Sequence, residues 1–271
     1  MNPITEPRRS RRAPVRTALL LVVAVVVAMA STACEPPRAP AKDRPIIFVH
    51  GWSALGAGDD CNSNFGALKS SLRKAGFTGP MITIAYYDSD RNCDVDLRNW
   101  GSISNSTSWK DLSKVLSKYV YETYTKKGVA VDVVGHSMGG NIVRGMVQGT
   151  QAHESGFSAP LKVEDAVTLA APHEGAAWFS SGCLWGQCAG LKPGATDIKW
   201  LAKNAAPQGV DGTEWTVFGS TNDDTVPWAS ALAMGVPDTR KIKYTNLEHS
   251  DYMGDPTCEA RTAKALAELD S

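Results

Sequence analysis

With 271 residues, of which 43% are hydrophobic, the chain can bury a large core, and one domain is the default for an α/β protein of this size. Lys plus Arg and Asp plus Glu balance at 28 each, so the formal net charge is zero. Arg8, Arg9, Arg11, Arg12 and Arg16 stand against Glu6 near the start, a surplus of +4 that leaves the rest near −4 without a long Lys/Arg run, which argues against nucleic acid as a partner.

The basic start is followed by an apolar run from Ala18 to Ala30 and by the small residues Ser31, Thr32 and Ala33. That order describes an export signal, and the run is short for a permanent membrane span, so residues 1–33 are expected to be a signal peptide. Ser10-Arg11-Arg12 is a partial twin-arginine pattern that Ala13-Pro14 does not continue, so the export route stays open. Cys34 after Ser31-Thr32-Ala33 resembles a bacterial lipoprotein cleavage site, with Ser31 where that pattern usually has Leu. The expected location is therefore extracellular, either free or anchored through an acylated Cys34. An exported chain should pair its cysteines. The expected bridges are Cys61–Cys93 and Cys183–Cys188, with Cys258 left unassigned. The absence of Cys-x-x-Cys pairs and His-rich clusters argues against a metal site.

Residues 34–43, rich in Pro and Ala, read as a linker that cannot build a core, and the folded domain is expected over residues 44–271. Pro45 to Val49 reads as an apolar strand, Phe65 to Ala75 as an amphipathic helix closed by Gly76, and Met81 to Tyr86 as the next strand. Trp109 to Tyr124 carries apolar residues at helical spacing, and Gly128 closes it before the run Val129 to Val134. After the helical segment Asn141 to Val147 come strands at Val163 to Ala170, Glu214 to Phe218 and Lys241 to Thr245, then a helix from Glu259 to Leu269. Strands that are apolar throughout and alternate with helices specify a mostly parallel sheet with helices on both faces.

Gly135-His136-Ser137-Met138-Gly139-Gly140 follows the Val129 run directly. Strand, sharp turn and helix start in this order form the setting of a nucleophile elbow, which lifts a serine oxygen to where a base and oxyanion donors converge. Five histidines could serve as the base. His153 lies in a polar stretch and reads as a surface residue. His136 adjoins Ser137 but points differently along the backbone, and His173 precedes any plausible acid. His249 falls just past the last strand and is the best candidate. The acid that orients it is expected on the loop after the preceding strand, where Asp223 and Asp224 are adjacent. Neighbours in an extended loop point to different sides, so one of the two faces the histidine. The oxyanion donors are expected to be the N–H groups of Met138, which follows the nucleophile, and of Trp52, aimed inward by a turn at Gly51.

Ile47 to Trp52, Val131 to Gly140, Val167 to His173, Asp223-Asp224-Thr225-Val226-Pro227 and His249-Ser250 together resemble a secreted bacterial lipase or esterase of the α/β-hydrolase superfamily, of the small extracellular triacylglycerol lipase type. The resemblance runs from Pro45 to Asp251. It implies an α/β-hydrolase fold and cleavage of carboxylic esters, with acylglycerols or other acyl esters as substrates and no organic cofactor. It selects Asp223 over Asp224, because the acid usually precedes a Val-Pro-like pair by three and four residues. Calcium occurs in some members, but no motif here matches such a site.

The stretch from Trp178 to Val210 departs from the smallest relatives and concentrates Trp178, Phe179, Leu184 and Trp185 around Cys183 and Cys188. It reads either as a lid that meets a lipid–water interface or as an insertion packed on itself. A polyester depolymerase or an acyltransferase would use the same side chains. A lipoprotein that only binds lipid would not need Ser137, Asp223 and His249 in this order.

Overall fold

The computed structural model describes residues 41–53, 58–177 and 186–267. The expected signal peptide, the Cys34 site and most of the linker lie outside the described residues. Seven strands alternate with helices: β1 (Ile46–Val49), α1 (Cys61–Lys74), β2 (Met81–Ala85), β3 (Val95–Asp96), α2 (Trp109–Thr123), β4 (Val131–His136), α3 (Met138–Gln151), β5 (Val163–Leu169), α4 (Gly186–Ala189), α5 (Thr196–Leu201), β6 (Glu214–Ser220), α6 (Trp228–Ala231), β7 (Lys241–Tyr244) and α7 (Pro256–Ala265). The strands form one sheet in the order β3-β2-β1-β4-β5-β6-β7. Every neighbouring pair is parallel.

Side chains alternate across the sheet with the two-residue period of a strand. Ile47 and Val49 of β1 join the layer that holds Leu112 and Leu116 of α2 and Ile142 and Met146 of α3. Ile46 and Phe48 join the opposite layer with Phe65, Leu68 and Leu72 of α1 and with Cys258 of α7. All four β1 side chains are fully buried, and each contributes on the order of 1.5–3 kcal/mol by leaving water. The architecture is the α/β-hydrolase arrangement, and burial on both faces explains why β1 reads as an unbroken apolar run. Asp132 interrupts β4 in sequence, but Nε of Arg44 donates to its carboxylate at 2.8 Å in a buried pair.

Element boundaries differ from the sequence reading where a cap sets them. Helix α1 starts at Cys61 rather than Phe65, because the Asp60 side chain accepts from the N–H groups of Asn62 and Ser63. Helix α7 starts at Pro256 rather than Glu259, since Asp255 caps Thr257 and Cys258 in the same way. Strand β3 and the short helices α4, α5 and α6 were not anticipated. None is longer than six residues, too few to show a period.

Cys61 and Cys93 form a disulfide with Cα atoms 5.1 Å apart, as expected. Cys258 is a buried free thiol. Cys188 takes part in a disulfide, but its expected partner Cys183 lies outside the described residues.

Strand order reverses between β1 and β4: the chain steps outward through β2 and β3, then crosses back to place β4 on the other side of β1. At such a switch point the loops leaving adjacent strand ends diverge and open a crevice. The loops after β1 and β4 carry His50-Gly51-Trp52 and Ser137, and the register pairs Val49 with Gly135.

Candidate active site

Ser137 sits between β4 and α3 with φ 52° and ψ −128°, a conformation that a residue with a Cβ adopts only when its surroundings enforce it. Packing supplies that enforcement. A Cβ on Gly135 would lie 2.5 Å from the Gly139 carbonyl oxygen, and one on Gly139 would lie 2.1 Å from the Val49 carbonyl oxygen. Only glycine at both positions lets the strand, the turn and the helix close this far. The Ser137 N–H is held by the Leu169 carbonyl at 2.8 Å.

The Ser137 hydroxyl donates to Nε2 of His249 at 2.9 Å. Nδ1–H of His249 donates to Asp223, 3.0 Å from Oδ2 and 3.2 Å from Oδ1. Carboxylate oxygens only accept, so Nδ1 carries the hydrogen and Nε2 is free to accept from the serine. Burial opposes charge on Asp223, but hydrogen bonds from His249 and from the backbone N–H groups of Val226 and Thr225 hold its carboxyl below the usual carboxylate range. Asp224 is exposed and bonds the Thr225 hydroxyl instead. The structure thus brings together Ser137, Asp223 and His249 from the ends of three different strands.

His136, His153 and His173 stand outside the linked set. His153 is exposed. Nε2–H of His136 donates to the His249 carbonyl at 2.8 Å. Burial and the neighbouring His249 lower the His136 pKa to about 3, so it is a neutral strut against the His249 backbone. His173 is buried against the Thr168 hydroxyl at 3.0 Å.

Met138 occupies the first position of α3, where the backbone N–H has no acceptor inside the helix. The loop after β1 comes close enough that a Cβ on Gly51 would lie 2.9 Å from Ser137 Cβ and 3.4 Å from Oγ. Trp52, the next residue, lines the same cleft as Ser137 and His249. Both expected oxyanion donors therefore belong to segments adjoining Ser137.

A buried charged cluster behind that loop escaped the sequence reading. His50 is 1% exposed, with Nδ1 3.2 Å from Asp59 Oδ2 and Nε2 3.1 Å from Asp90 Oδ2. Both ring nitrogens face acceptors, so both carry hydrogens. Burial disfavours the charge, but the two carboxylates prevail and raise the His50 pKa to about 9. Tyr86 stacks on the imidazole at 4.1 Å, and its hydroxyl reaches the carbonyls of His50 and Gly51 at 2.8 and 2.6 Å. Asp90 also accepts from the N–H groups of Asp59, Tyr86 and Tyr87. Tyr252, which donates to Asp223 at 3.3 Å, and Ser220, which accepts from Leu247 N–H at 3.1 Å, were missed as well. One signal for the cluster was present: the Cys61–Cys93 pairing, taken as a distance restraint, puts Asp59 beside Asp90.

The cleft around Ser137 encloses about 360 Å³. A larger groove of about 740 Å³ between α2, α3 and α5 contains none of the three linked side chains. Of the stretch from Trp178 to Val210, the described part, residues 186–210, is anchored to the body. Trp109 Nε1–H donates to the Gly190 carbonyl at 3.0 Å, the Tyr87 hydroxyl donates to Gln187 at 2.7 Å, and Leu191 and Leu201 are fully buried. Trp178, Phe179, Leu184 and Trp185, on which the lid reading rested, lie outside the described residues.

The chain belongs to the class 2 lipase family, whose model matches residues 43–264. It is a carboxylic ester hydrolase of the α/β-hydrolase fold, and the family implies a lipid or other ester as substrate. No curated protein matches it by sequence. Among solved structures it is similar to the mature lipase BlEst2 of Bacillus licheniformis, at 16% identity and a TM-score of 0.54 over 86% of this chain and 96% of that one. It is also similar to lipase B of Aspergillus fumigatus, at 13% identity and 0.57 over 85% and 56%. Phospholipase PlaB of Legionella pneumophila matches at 16% and 0.51 over 69% and 45%, so this chain spans less than half of it. At these identities the likeness is one of fold.

Proposed function

We propose that the protein cleaves carboxylic esters, acylglycerols among them, through an acyl-enzyme on Ser137. The observation that carries this reading is the unbroken relay from Ser137 Oγ through His249 to Asp223, at 2.9 and 3.0 Å. As Oγ attacks the acyl carbon, its proton passes to Nε2 of His249, and the carbonyl oxygen becomes an oxyanion facing the N–H groups of Trp52 and Met138. The tetrahedral species collapses when Nε2 returns that proton to the departing alcohol oxygen. Water then attacks the acyl-serine, giving one proton to His249, and the second collapse releases the acid and restores the Ser137 hydroxyl. Asp223 keeps the imidazole in the Nδ1–H form and offsets its transient charge.

Export is part of the proposal. It is supported by the basic, apolar, small order of residues 1–33 and by the Cys61–Cys93 disulfide, a bond that persists in oxidising compartments. In kinetic assays on p-nitrophenyl butyrate, Ser137→Ala should lower kcat by at least ~10⁴-fold with the fold retained. Undiminished turnover by that folded variant refutes the mechanism.

A further inference from the structure

We propose that Asp59, Ser63 and Asn64 form a subsite for hydroxyl groups on the alcohol portion of the substrate, so that the enzyme selects esters of polyols bearing a free hydroxyl near the ester bond. The inference rests on reading Ser137 as nucleophile and His249 as its base.

The proton that His249 accepts must reach the departing oxygen, so the alcohol portion lies against the histidine. The cleft that holds His249 is lined also by Ser250 and Met253 and by Asp59 with the first two turns of α1. The α1 wall is polar. Asp59 turns one oxygen toward His50 at 3.2 Å, yet its side chain keeps 29% of its surface exposed at the cleft. Burial raises its pKa, but bonds to His50 and then to the Asn64 amide outweigh this, so Asp59 is a carboxylate. Ser63 is exposed on the first turn of α1 and Asn64 is half-buried beside it.

A carboxylate accepts and never donates. An alkyl alcohol laid over Asp59 would strip water from a charge and return no hydrogen bond, whereas a hydroxyl would replace the water it displaces. Sites built in this way discriminate strongly against analogues lacking the hydroxyl. The same charge repels an anionic alcohol portion such as a phosphate ester. Trp52 and Met253, which also line the cleft, give the carbon skeleton an apolar surface.

Glycerol monobutyrate and propyl butyrate share the acyl group and the three-carbon alcohol and differ in two hydroxyls, so the ratio of their kcat/KM values isolates the subsite. The wild-type ratio should favour the monobutyrate roughly ten- to a hundredfold, the worth of one or two hydrogen bonds to a charged group. Asn64→Leu and Ser63→Ala should bring the ratio down, and Asp59→Asn should do so most. A variant that merely folds poorly lowers both rates and leaves the ratio where it was. A ratio near one in the wild type overturns the inference, as does retention of the wild-type ratio in Asn64→Leu and Asp59→Asn. A stronger preference for butyrylcholine than for the monobutyrate would also overturn it, by assigning the wall to cations. Failure to cleave any of these esters, with no fluorophosphonate labelling of the folded protein, would instead remove the hydrolase mechanism beneath it.

Discussion

Asp223 and His249 meet through two contacts, at 3.0 and 3.2 Å, although 26 residues separate them. Asp223 comes from the loop after β6 and His249 from the loop after β7, and Ser220 and Tyr252 brace the pair. Replacing Asp223 by Asn removes the charge and lets the imidazole take the wrong tautomer. Asp223→Asn should therefore lower kcat by roughly 10³–10⁴-fold, whereas Asp224→Asn should stay within about twofold, since an exposed polar side chain outside the relay is worth little. Steady-state kinetics on one soluble ester checks both.

Two glycines, one at the elbow and one in α1, should respond in opposite ways to an added methyl. Gly135→Ala puts a methyl 2.5 Å from the backbone oxygen of Gly139, where neither side can yield, so stability should fall by roughly 3 kcal/mol or more. Gly66 lies inside α1 with nothing within 4 Å of its added methyl, so Gly66→Ala should add about 0.5–1 kcal/mol. Urea unfolding midpoints measure both.

The strands were legible because buried parallel strands carry few charges: Ile46 to Val49 is wholly apolar, and Val163 to Leu169 is mostly apolar once past Glu164 and Asp165. Ser137 and His249 were legible because a glycine-flanked turn and a position past the last strand are local signals. The choice of Asp223 needed the family resemblance, since adjacent carboxylates on one loop look alike until the backbone orients them. Asp59, Asp90 and Tyr86 stayed hidden because what gathers them around His50 is tertiary packing. Helix α1 began earlier than its apolar period suggests because the Asp60 cap, not a hydrophobic residue, opens it.

The His50 cluster makes stability depend on alkaline pH. A histidine pKa raised from 6.5 to about 9 in the folded state means that folding retains a proton the unfolded chain gives up. The stabilisation is complete below about pH 6.5 and is lost as pH rises through about 9. It amounts to roughly 3 kcal/mol at most, at about 1.4 kcal/mol for each pKa unit. Unfolding free energies measured at pH 6 and pH 9.5 should fall further in the wild type than in His50→Asn. Equal slopes would contradict an imidazolium at this position.

The Cys61–Cys93 bond closes a loop over a sequence separation of 32 residues and ties the segments carrying Asp59 and Asp90. Replacing both cysteines with Ala should lower stability by about 2–4 kcal/mol. The loss should appear in denaturant titrations of the wild type against the double variant, both kept oxidised so that the disulfide of Cys188 stays closed.

The central claim is that the Ser137 oxygen is the nucleophile and that His249 activates it. Labelling the folded protein with a fluorophosphonate and mapping the adduct by mass spectrometry of its peptides tests this most directly. The account predicts a single phosphonylated residue, Ser137, with labelling that nearly vanishes in His249→Ala. An adduct on another serine, or labelling of His249→Ala at the wild-type rate, would contradict it.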